Sequence, residues 1–513
     1  MLGVRHWHIT CKHADEFNGW NGPPANPNEH AQGQQPIRNG EMMPTAKHAS
    51  LSGNLVLLGF GSIGQAMLPL LFRHIEMNPG QVKVIAADED GKEIASALGV
   101  NFTVQTLTEG NYQTVLESCL SKGDFLLNLS VDVSSLALIQ FCWRRGVLYL
   151  DTCIEPWAGR YTDRSASLSQ RSNYALREEI LAFRLDKRAG PTAIVTNGAN
   201  PGLASIFVKQ ALLQIAADND VAVEKPTCYE DWAELSMRLG IKAIHIAERD
   251  TQISGQRKQR DEFVNTWSVV GFVSEGLQPS ELGWGSHERH WPLDAGRHGF
   301  GSDAAIYLNR PGAATRVRSW TPLEGSYQGF LITHGESISI ADHLTLRKNG
   351  DVVYRPTVHY AYHPCDDAVL SLHELAGKNW RLQRKKRIMR DEITEGTDEL
   401  GVLLMGNEKG VFWYGSRLTI DEARQMAPYN TATSLQVVAG VLGGIVLALR
   451  NPSAVAVEPD DIDYETVLEI ATPYLGELVG VYGDWTPLRD RSPLFAEDMD
   501  RDDPWQFINF RVV

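Results

Sequence analysis

The chain has 513 residues, of which 43% are hydrophobic and 22% are charged, a composition typical of globular proteins and unlike that of disordered or fibrous ones. Its 48 lysines and arginines stand against 63 aspartates and glutamates, a net charge of −15. We therefore expect no nucleic-acid or membrane partner and favour a cationic small molecule. Six scattered cysteines without a CxxC pair argue against a disulfide framework and favour the cytoplasm, as does an N-terminus without signal-peptide character.

Residues 1–50 are predicted to be a disordered N-terminal tail. They are rich in asparagine, glycine, proline, histidine and glutamine and show almost no apolar periodicity. Such a segment cannot bury enough surface to offset the entropy of ordering. Met43 lies just before the first predicted strand and is an alternative start of translation.

Residues 51–155 alternate between apolar runs and helical patterns. This alternation predicts successive βαβ units, and therefore a Rossmann-type, doubly wound parallel sheet of the α/β class. The predicted strands are 54–58, 82–87, 125–129 and 147–150, and the predicted helices are 63–75, 92–98 and 136–145.

Residues 156–513 are predicted to form a second domain, of the α+β class, for substrate binding and dimerisation. Tryptophan, glycine and proline become frequent there, and strand-like runs at 330–333 and 352–354 separate irregular stretches. An apolar helix at 433–450 is expected to pack back on the first domain. Its strongly apolar part, 437–449, is too short to cross the roughly 30 Å of membrane hydrocarbon.

A glycine-rich turn follows the first predicted strand and opens the first predicted helix. A GxGxxG pattern in this context predicts a dinucleotide site. The glycines allow a tight turn, the approach of a pyrophosphate and close helix packing, and two backbone amides face the phosphates. The residues concerned are Gly59, Gly61, Ser62, Ile63 and Gly64.

An acid at the end of the second predicted strand indicates which cofactor binds. Asp88 follows the glycine turn at close to the spacing of about 20 residues expected of the acid that binds the ribose hydroxyls. Such an acid repels a 2′-phosphate, so the sequence favours NAD over NADP. Glu89 and Asp90 remain alternatives for this role.

Polar residues at the ends of the next two strands are expected to line the nicotinamide end of the site, because ligands bind at the carboxyl ends of parallel strands. They are Asn128, Ser130, Asp132, Asp151 and Thr152. An alternative role for Ser130 and Asp132 is to cap the helix that begins near Ser134.

Several acids lie close to tryptophans in the sequence. Glu155 stands two residues before a tryptophan, and Glu275 follows Trp267. Because buried carboxylates and indole faces both attract cations, these residues with Glu248 predict an ammonium pocket. The alternative is that each acid is exposed or ion-paired, and Arg249 beside Glu248 would be such a partner.

The segment 359–366 holds two histidines four residues apart and a cysteine, as metal sites do. Pro364 breaks the helix that would align these ligands, and no second ligand pair stands at zinc-site spacing. We therefore predict no metal site and interpret the segment as a buried polar turn.

Long motifs carry a resemblance to a known family. Over residues 51–513 the chain resembles the bacterial homospermidine synthases, relatives of saccharopine dehydrogenase. The motifs are 59–64, 128–132, 151–157, 172–177, 198–202, 240–252, 265–285 and 359–367. The resemblance implies a homodimer with tightly held NAD that converts two putrescines into sym-homospermidine and ammonia without net redox. It also implies use of spermidine or 1,3-diaminopropane.

The resemblance also implies roles for individual residues. Trp267 would stabilise the cationic substrate through its ring face, and Glu248 and Glu275 would hold ammonium groups. Glu155 and Asp398 would line the route of the diamine, with Glu399 as an alternative to Asp398. Asn200 and His334 would position the amine and imine, and His334 is a candidate for proton transfer.

Two other functions remain open from the sequence. One is a saccharopine-type or carboxyspermidine-type NAD(P)-dependent dehydrogenase, which would need an arginine for the substrate carboxylate. The other is a non-catalytic protein that binds NAD and senses polyamines with the same acids.

Overall fold

The computed structural model describes residues 47–186, 189–491 and 496–512. Most of the predicted tail, residues 1–46, lies outside these described residues. The tail was predicted to extend to residue 50, and this boundary is wrong. Ala49–Ser50 form a short strand that pairs in parallel with Ile75–Glu76, because these residues dock beside the end of the first helix.

The N-terminal half of the described chain alternates strands and helices as predicted. Its strands are β1 Ala49–Ser50, β2 Leu55–Leu58, β3 Ile75–Glu76, β4 Val82–Ala86, β5 Asn101–Val104, β6 Phe125–Asn128, β7 Leu148–Asp151 and β8 Ala193–Ile194. Its helices are α1 Ser62–His74, α2 Lys92–Ala97, α3 Tyr112–Glu117, α4 Ser135–Arg145, α5 Asn173–Asp186 and α6 Leu203–Asp218.

The C-terminal half holds longer strands. They are β9 Ala243–Asp250, β10 Ile253–Ser254, β11 Glu262–Asn265, β12 Pro279–Gly283, β13 Ala295–Arg297, β14 Ala305–Pro311, β15 Arg316–Thr321, β16 Gly325–Phe330, β17 Leu346–Lys348, β18 Asp351–Tyr354, β19 Thr357–His363, β20 Lys385–Ile388, β21 Ile393–Glu395, β22 Thr397–Asn407, β23 Gly410–Thr419, β24 Ala456–Val457, β25 Glu477–Gly483 and β26 Arg511–Val512. The helices are α7 Tyr229–Arg238, α8 Val269–Leu277, α9 Gly335–His343, α10 Asp366–Gly377, α11 Ile420–Met426, α12 Ala432–Arg450, α13 Tyr464–Ala471 and α14 Phe507–Phe510.

The first domain is a Rossmann-type sheet. In the described chain seven parallel strands lie in the order β24-β8-β7-β6-β2-β4-β5. The sheet is wider than residues 51–155 alone could supply, because β8 and β24 add an edge from later in the chain. Its inner strands β2, β6 and β7 are buried on every residue, as expected of a parallel sheet covered on both faces.

Helix α4 begins where the sequence predicted, but its cap differs from the alternative considered. The side chain of Ser134 accepts the backbone N–H of Ala137 at 3.3 Å, a standard N-cap. Ser130 and Asp132 therefore do not cap this helix, and both line the cavity described below.

The second domain is built on a large mixed sheet. Its main path runs β13-β14-β12-β19-β9-β22-β23-β25, with β15, β16 and β26 attached. The predicted strand at 330–333 is wrong, because β16 ends at Phe330 and the chain then leads into α9. The parallel pair β9 and β19 carries much of the site.

Helix α12 lies between the two domains. It contacts α1 and β7 of the first domain and β22 and β23 of the second. Residues 437–449 alone are too short to cross a membrane, but the whole helix is long and apolar enough by length and composition. However, 89% of its apolar window is buried inside the structure. The helix is therefore a core helix. Its apolar run is unbroken because nearly every side of the helix packs against other parts of the protein.

Candidate active site

One cavity of about 820 Å³ runs from the glycine turn after β2 to the acids of the second domain. The carboxyl ends of β2, β4 and β6 form one wall, as expected for a doubly wound sheet. The predicted residues that line it are Gly59, Gly61, Ser62, Ile63, Gly64, Asp88, Ser130, Asp132, Thr152, Glu155, Asn200, Glu248, Trp267, Glu275 and His334.

The three glycines of the turn occupy different environments. Gly59 has a φ of +85°, and a Cβ there would lie 2.6 Å from the Leu129 carbonyl oxygen. A Cβ on Gly64 would lie 2.9 Å from the Gly59 carbonyl oxygen, whereas a Cβ on Gly61 would meet nothing within 4 Å. The open space at Gly61 is a cradle that fits a dinucleotide pyrophosphate at the N-terminus of α1.

The three acids after β4 have different partners, which decides between them as the ribose-binding residue. Glu89 forms an ion pair with Lys92 at 2.7 Å and lies off the cavity wall. Asp90 reaches the wall, but its carboxylate binds the Arg390 guanidinium at 3.1 Å. Asp88 also lines the wall and has no ion-pair partner among the described residues. One Asp88 oxygen accepts the Asp90 backbone N–H at 3.0 Å. Since no described cation holds its carboxylate, Asp88 is the acid best placed to accept hydrogen bonds from ribose hydroxyls.

Two residues predicted to bind the cofactor lie behind the wall. The carboxylate of Asp151 is buried and accepts the Tyr149 hydroxyl and the Thr196 amide, both at 2.7 Å. The Asn128 amide donates to the Tyr149 hydroxyl at 3.1 Å and accepts from Ser130. Both are wrong as wall residues, because each side chain binds the buried Tyr149 hydroxyl, and Asn128 accepts the Ser130 hydroxyl from behind the wall.

Glu248 is a buried acid of β9, on the side of the cavity that the second domain forms. Its carboxylate accepts the Tyr360 hydroxyl and the Asn200 amide, and Asn200 also donates to the Tyr360 hydroxyl at 2.7 Å. Burial raises the pKa of Glu248 to about 7, although these two hydrogen bonds oppose the shift. Arg249 is not its partner, because neighbours on a strand face opposite sides, and Arg249 pairs with Asp366 at 3.4 Å.

Trp267 presents its indole to the cavity from the turn between β11 and α8. Its Nε1 donates to the Tyr362 hydroxyl at 3.1 Å, and its ring packs against Phe272 with centroids 5.5 Å apart. These contacts fix the ring plane and leave one face for a cation.

His334 lies between two carboxylates at the start of α9. Its Nε2 is 3.2 Å from Glu275 and its Nδ1 is 3.1 Å from Glu336. Burial opposes a charged ring, but Glu336 and Glu275 outweigh it and raise the pKa of His334 to about 10. The two carboxylates therefore favour the imidazolium form of His334.

Glu155 lies on the same wall, after β7. Burial raises its pKa to about 8, and the negative charges of Glu275 and Asp132 add to the shift. Glu155, Glu248 and Glu275 thus give the cavity an acidic end opposite the glycine turn, while neither arginine nor lysine is among the described residues that line it.

Asp398 is not on the cavity wall. It is fully buried on β22, where it faces Asp250 of β9 across the antiparallel pair, and it accepts the Thr433 hydroxyl. Burial and the charges of Glu248 and Asp250 raise its pKa. The predicted direct contact of Asp398 with a diamine is wrong, because Thr433 stands between it and the cavity.

Glu399, the alternative to Asp398, faces the other side of β22. It binds Thr321 at 2.7 Å and the Leu323 amide at 3.0 Å, away from the cavity. Neither acid of this pair therefore reaches the wall directly.

Sequence reasoning missed Tyr360, which orients Glu248. Residues 359–363 of the segment interpreted as a polar turn belong to the strand β19, so that interpretation is wrong for them. Tyr360 and Tyr362 share one face of this strand, with their rings stacked 5.1 Å apart. The alternation of residues 358–362 was the available signal. No group of three or more metal-ligating side chains occurs in the described ranges.

The two halves of the chain define the class of protein. Residues 55–194 match the saccharopine dehydrogenase NADP binding domain, and residues 198–484 match the saccharopine dehydrogenase C-terminal domain. Together with the glycine turn, they make this a dinucleotide-binding enzyme of the saccharopine dehydrogenase type.

Comparison with curated relatives identifies the family within this class. The chain is 54% identical over 466 residues to the homospermidine synthase of Blastochloris viridis, covering 90% of this chain and 98% of the relative. It is 48% identical to that of Mesorhizobium japonicum, covering 91% and 97%. The crystal structure of the Legionella pneumophila homospermidine synthase in complex with NAD is similar with a TM-score of 0.85 and 50% identity, covering 90% of this chain and 98% of that one. The chain belongs to the homospermidine synthase family.

Proposed function

We propose that this enzyme is an NAD-dependent homospermidine synthase that joins two putrescines, or spermidine and putrescine, with release of ammonia or 1,3-diaminopropane. The observation that carries the proposal is the single cavity that joins the glycine turn to Glu155, Glu248 and Glu275. A nucleotide and a polyamine can therefore meet in it. Membership of the family supports the same reaction.

The chain's own residues would hold the cofactor. The amides of Ser62 and Ile63 belong to the first turn of α1, next to the open space at Gly61, and would bind the pyrophosphate, while Asp88 would bind the ribose. NAD⁺ supplies an acceptor that takes a hydride from the carbon bearing an amine and returns it later in the same turnover. The carboxylate of Asp88, which no described cation neutralises, favours NAD over NADP because it would repel a 2′-phosphate.

The acids would bind and orient the diamine. Glu248, held by Tyr360 and Asn200, would accept hydrogen bonds from one ammonium group, and Glu275 would accept them from another. The face of Trp267 would stabilise the positive charge that forms at the reacting carbon and nitrogen. Asn200 would position the amine, and the His334 imidazolium would fix the Glu275 carboxylate.

The main alternative is a dehydrogenase that reduces a carboxylated substrate. Such a substrate needs a cationic side chain to pair with its carboxylate. Neither arginine nor lysine lines the described cavity, and its His334 is already matched by Glu275 and Glu336. The three acids at its acidic end would repel an anion. The acidic cavity therefore favours a dicationic substrate.

The test is to incubate the purified enzyme with putrescine and a trace of NAD⁺ and to follow ammonia, triamine and NADH together. We expect ammonia and homospermidine in equal amounts with no lasting NADH. Accumulation of NADH without triamine would indicate an amine dehydrogenase. Tight putrescine binding without either product would indicate the polyamine sensor. Both results would overturn the proposal.

We further propose a cytoplasmic homodimer that acts on free polyamines. The acidic composition and scattered cysteines support this location. A solution mass of twice 57.0 kDa in analytical ultracentrifugation is the expected result, and a mass equal to one chain would exclude the dimer.

A further inference from the structure

A second, smaller cavity adjoins the main one, and we call it the side chamber. Glu155, Glu275 and His334 line both spaces and form the partition between them. The far wall of the side chamber includes Arg177 of α5 and Gln278 just after α8. The side chamber therefore lies directly behind the acids of the main cavity.

The size of the side chamber restricts what it can hold. Its volume is about 30 Å³, which is room for about two molecules the size of water. A four-carbon diamine does not fit, and neither does a nicotinamide ring. The occupants must be molecules of one heavy atom, such as water, ammonia or ammonium.

The electrostatics of the side chamber favour a cation. Arg177 is the cation on the far wall, but Glu458 binds it at 2.6 Å and Asp342 at 3.0 Å. The His334 imidazolium is likewise matched by Glu275 and Glu336. Glu155 adds a carboxyl group without a cationic partner among the described side chains, so carboxyl groups outnumber cations around the chamber.

The neighbouring groups respond to this excess of negative charge. Burial raises the pKa of the Cys153 thiol and of the Tyr161 hydroxyl, and the charges of Glu155 and Glu275 raise both further. Each of these groups lines the chamber. A cation placed there would relieve the repulsion that burial makes costly.

Gln278 supplies an independent sign of a missing partner. Its side chain is 4% exposed, and its Oε1 has no hydrogen-bond partner among the described residues. A buried acceptor of this kind is costly unless a donor reaches it. An ammonium ion is a four-fold donor of the size of water, and the chamber has space for it.

We propose that the side chamber is a binding site for the ammonium ion released during turnover. This inference rests on the proposed synthase reaction. In the releasing step the adduct carbon carries both –NH₃⁺ and the second amine. Its bond to –NH₃⁺ breaks, the bond electrons leave with ammonia, and the lone pair of the remaining nitrogen forms the C=N⁺ bond.

Glu155 is placed to complete the transfer. As a carboxylic acid it gives its proton to the released ammonia, which leaves an ammonium ion beside the Glu155 carboxylate in the chamber. The partition of Glu155 and Glu275 then separates the ion from the new iminium carbon. Ammonia held in this way is less able to add back to that carbon.

The test uses the holoenzyme in the reverse direction. Homospermidine is incubated with isotope-labelled ammonium chloride, and label in putrescine is measured against ammonium concentration. We expect saturation in the wild-type protein. Gln278→Met has a similar side-chain size but no acceptor, and we expect it to raise the half-saturating ammonium concentration about tenfold, the cost of losing a hydrogen bond to a charged group.

Gln113→Met is the matched control, because Gln113 lies on α3 outside both cavities. We expect its half-saturation to equal the wild-type value. Incorporation that rises in strict proportion to ammonium, no incorporation, or an unchanged half-saturation in Gln278→Met would each overturn the ammonium site. The wild-type result stands if Gln278→Met does not fold. Failure of the forward reaction to yield homospermidine would instead overturn the proposed function.

Discussion

The indole of Trp267 allows the proposed cation contact to be separated from packing. Trp267→Phe keeps an aromatic face, whereas Trp267→Ala removes it, and both lose the N–H bond to Tyr362. A buried cation–π contact contributes about 2 kcal/mol, so we expect kcat for putrescine to fall at least tenfold more in the alanine variant than in the phenylalanine variant. Steady-state kinetics and NAD titration check this.

NAD affinity should be the same in both Trp267 variants, because the indole acts on the amine. If cofactor binding and turnover fall together in Trp267→Ala, the residue packs the cavity and does not stabilise the substrate charge.

The raised pKa of Glu248 predicts that kcat/KM for putrescine depends on pH. That pKa is raised to about 7, mainly by burial. A carboxylate binds ammonium and a carboxylic acid does not, so kcat/KM for putrescine should decrease as pH falls through this value. Below pH 7 we expect a decrease of about tenfold per pH unit in the wild type and a smaller slope in Glu248→Gln. Equal slopes would remove Glu248 from diamine binding.

The sequence predicted the acids and the tryptophan that line the cavity themselves. It did not predict which residues reach the cavity only through another side chain. Glu155, Glu248, Trp267 and Glu275 share the cavity wall, as the acid and indole pattern suggested. Asp398 was assigned a direct contact, although Thr433 covers it. Sequence alone does not reveal one intervening hydroxyl from a helix 35 residues away.

In the turn between β2 and α1, two glycine substitutions allow the effect on NAD binding to be measured separately from the effect on stability. Gly61→Ala adds a methyl that meets no protein atom within 4 Å but occupies the space of the pyrophosphate. We expect an unchanged melting temperature of the apoprotein and NAD binding weaker by about tenfold or more. Calorimetry and NAD titration measure the two effects.

Gly59→Ala is the matched control, because its methyl would lie 2.6 Å from the Leu129 carbonyl oxygen at a φ of +85°. It should lower stability by about 1–3 kcal/mol. A Gly61→Ala protein that retains full NAD affinity would show that the pyrophosphate does not approach this glycine.

Long, strongly patterned elements were predictable to within one or two residues. Helix α1 and strands β2, β4 and β6 lie where the apolar runs predicted them. The two-residue strands β8 and β24 were missed, because such short segments carry no periodicity and pair only through contacts distant in the chain. The same reason hid the true width of the first sheet.

For the whole molecule, α12 is the helix that contacts both domains. Its apolar run was visible in the sequence, but its position between the two sheets was not. Gly440 of this helix packs against the segment that carries Asn200, and a Cβ there would lie 2.0 Å from the Gly198 carbonyl oxygen. Backbone cannot yield as a flexible side chain can. Gly440→Ala should therefore displace either the helix or the segment, at a cost of about 1–3 kcal/mol.

Because Asn200 orients Glu248, the displacement in Gly440→Ala should also reduce kcat/KM for putrescine, measured with the melting temperature. Gly377→Ala is the control: Gly377 ends α10 and a Cβ there meets nothing within 4 Å, so stability should stay the same or rise slightly. If Gly440→Ala lowers stability but leaves turnover intact, the helix holds the domains together without positioning the site. If both stay unchanged, the close approach of α12 to Gly198 is not required.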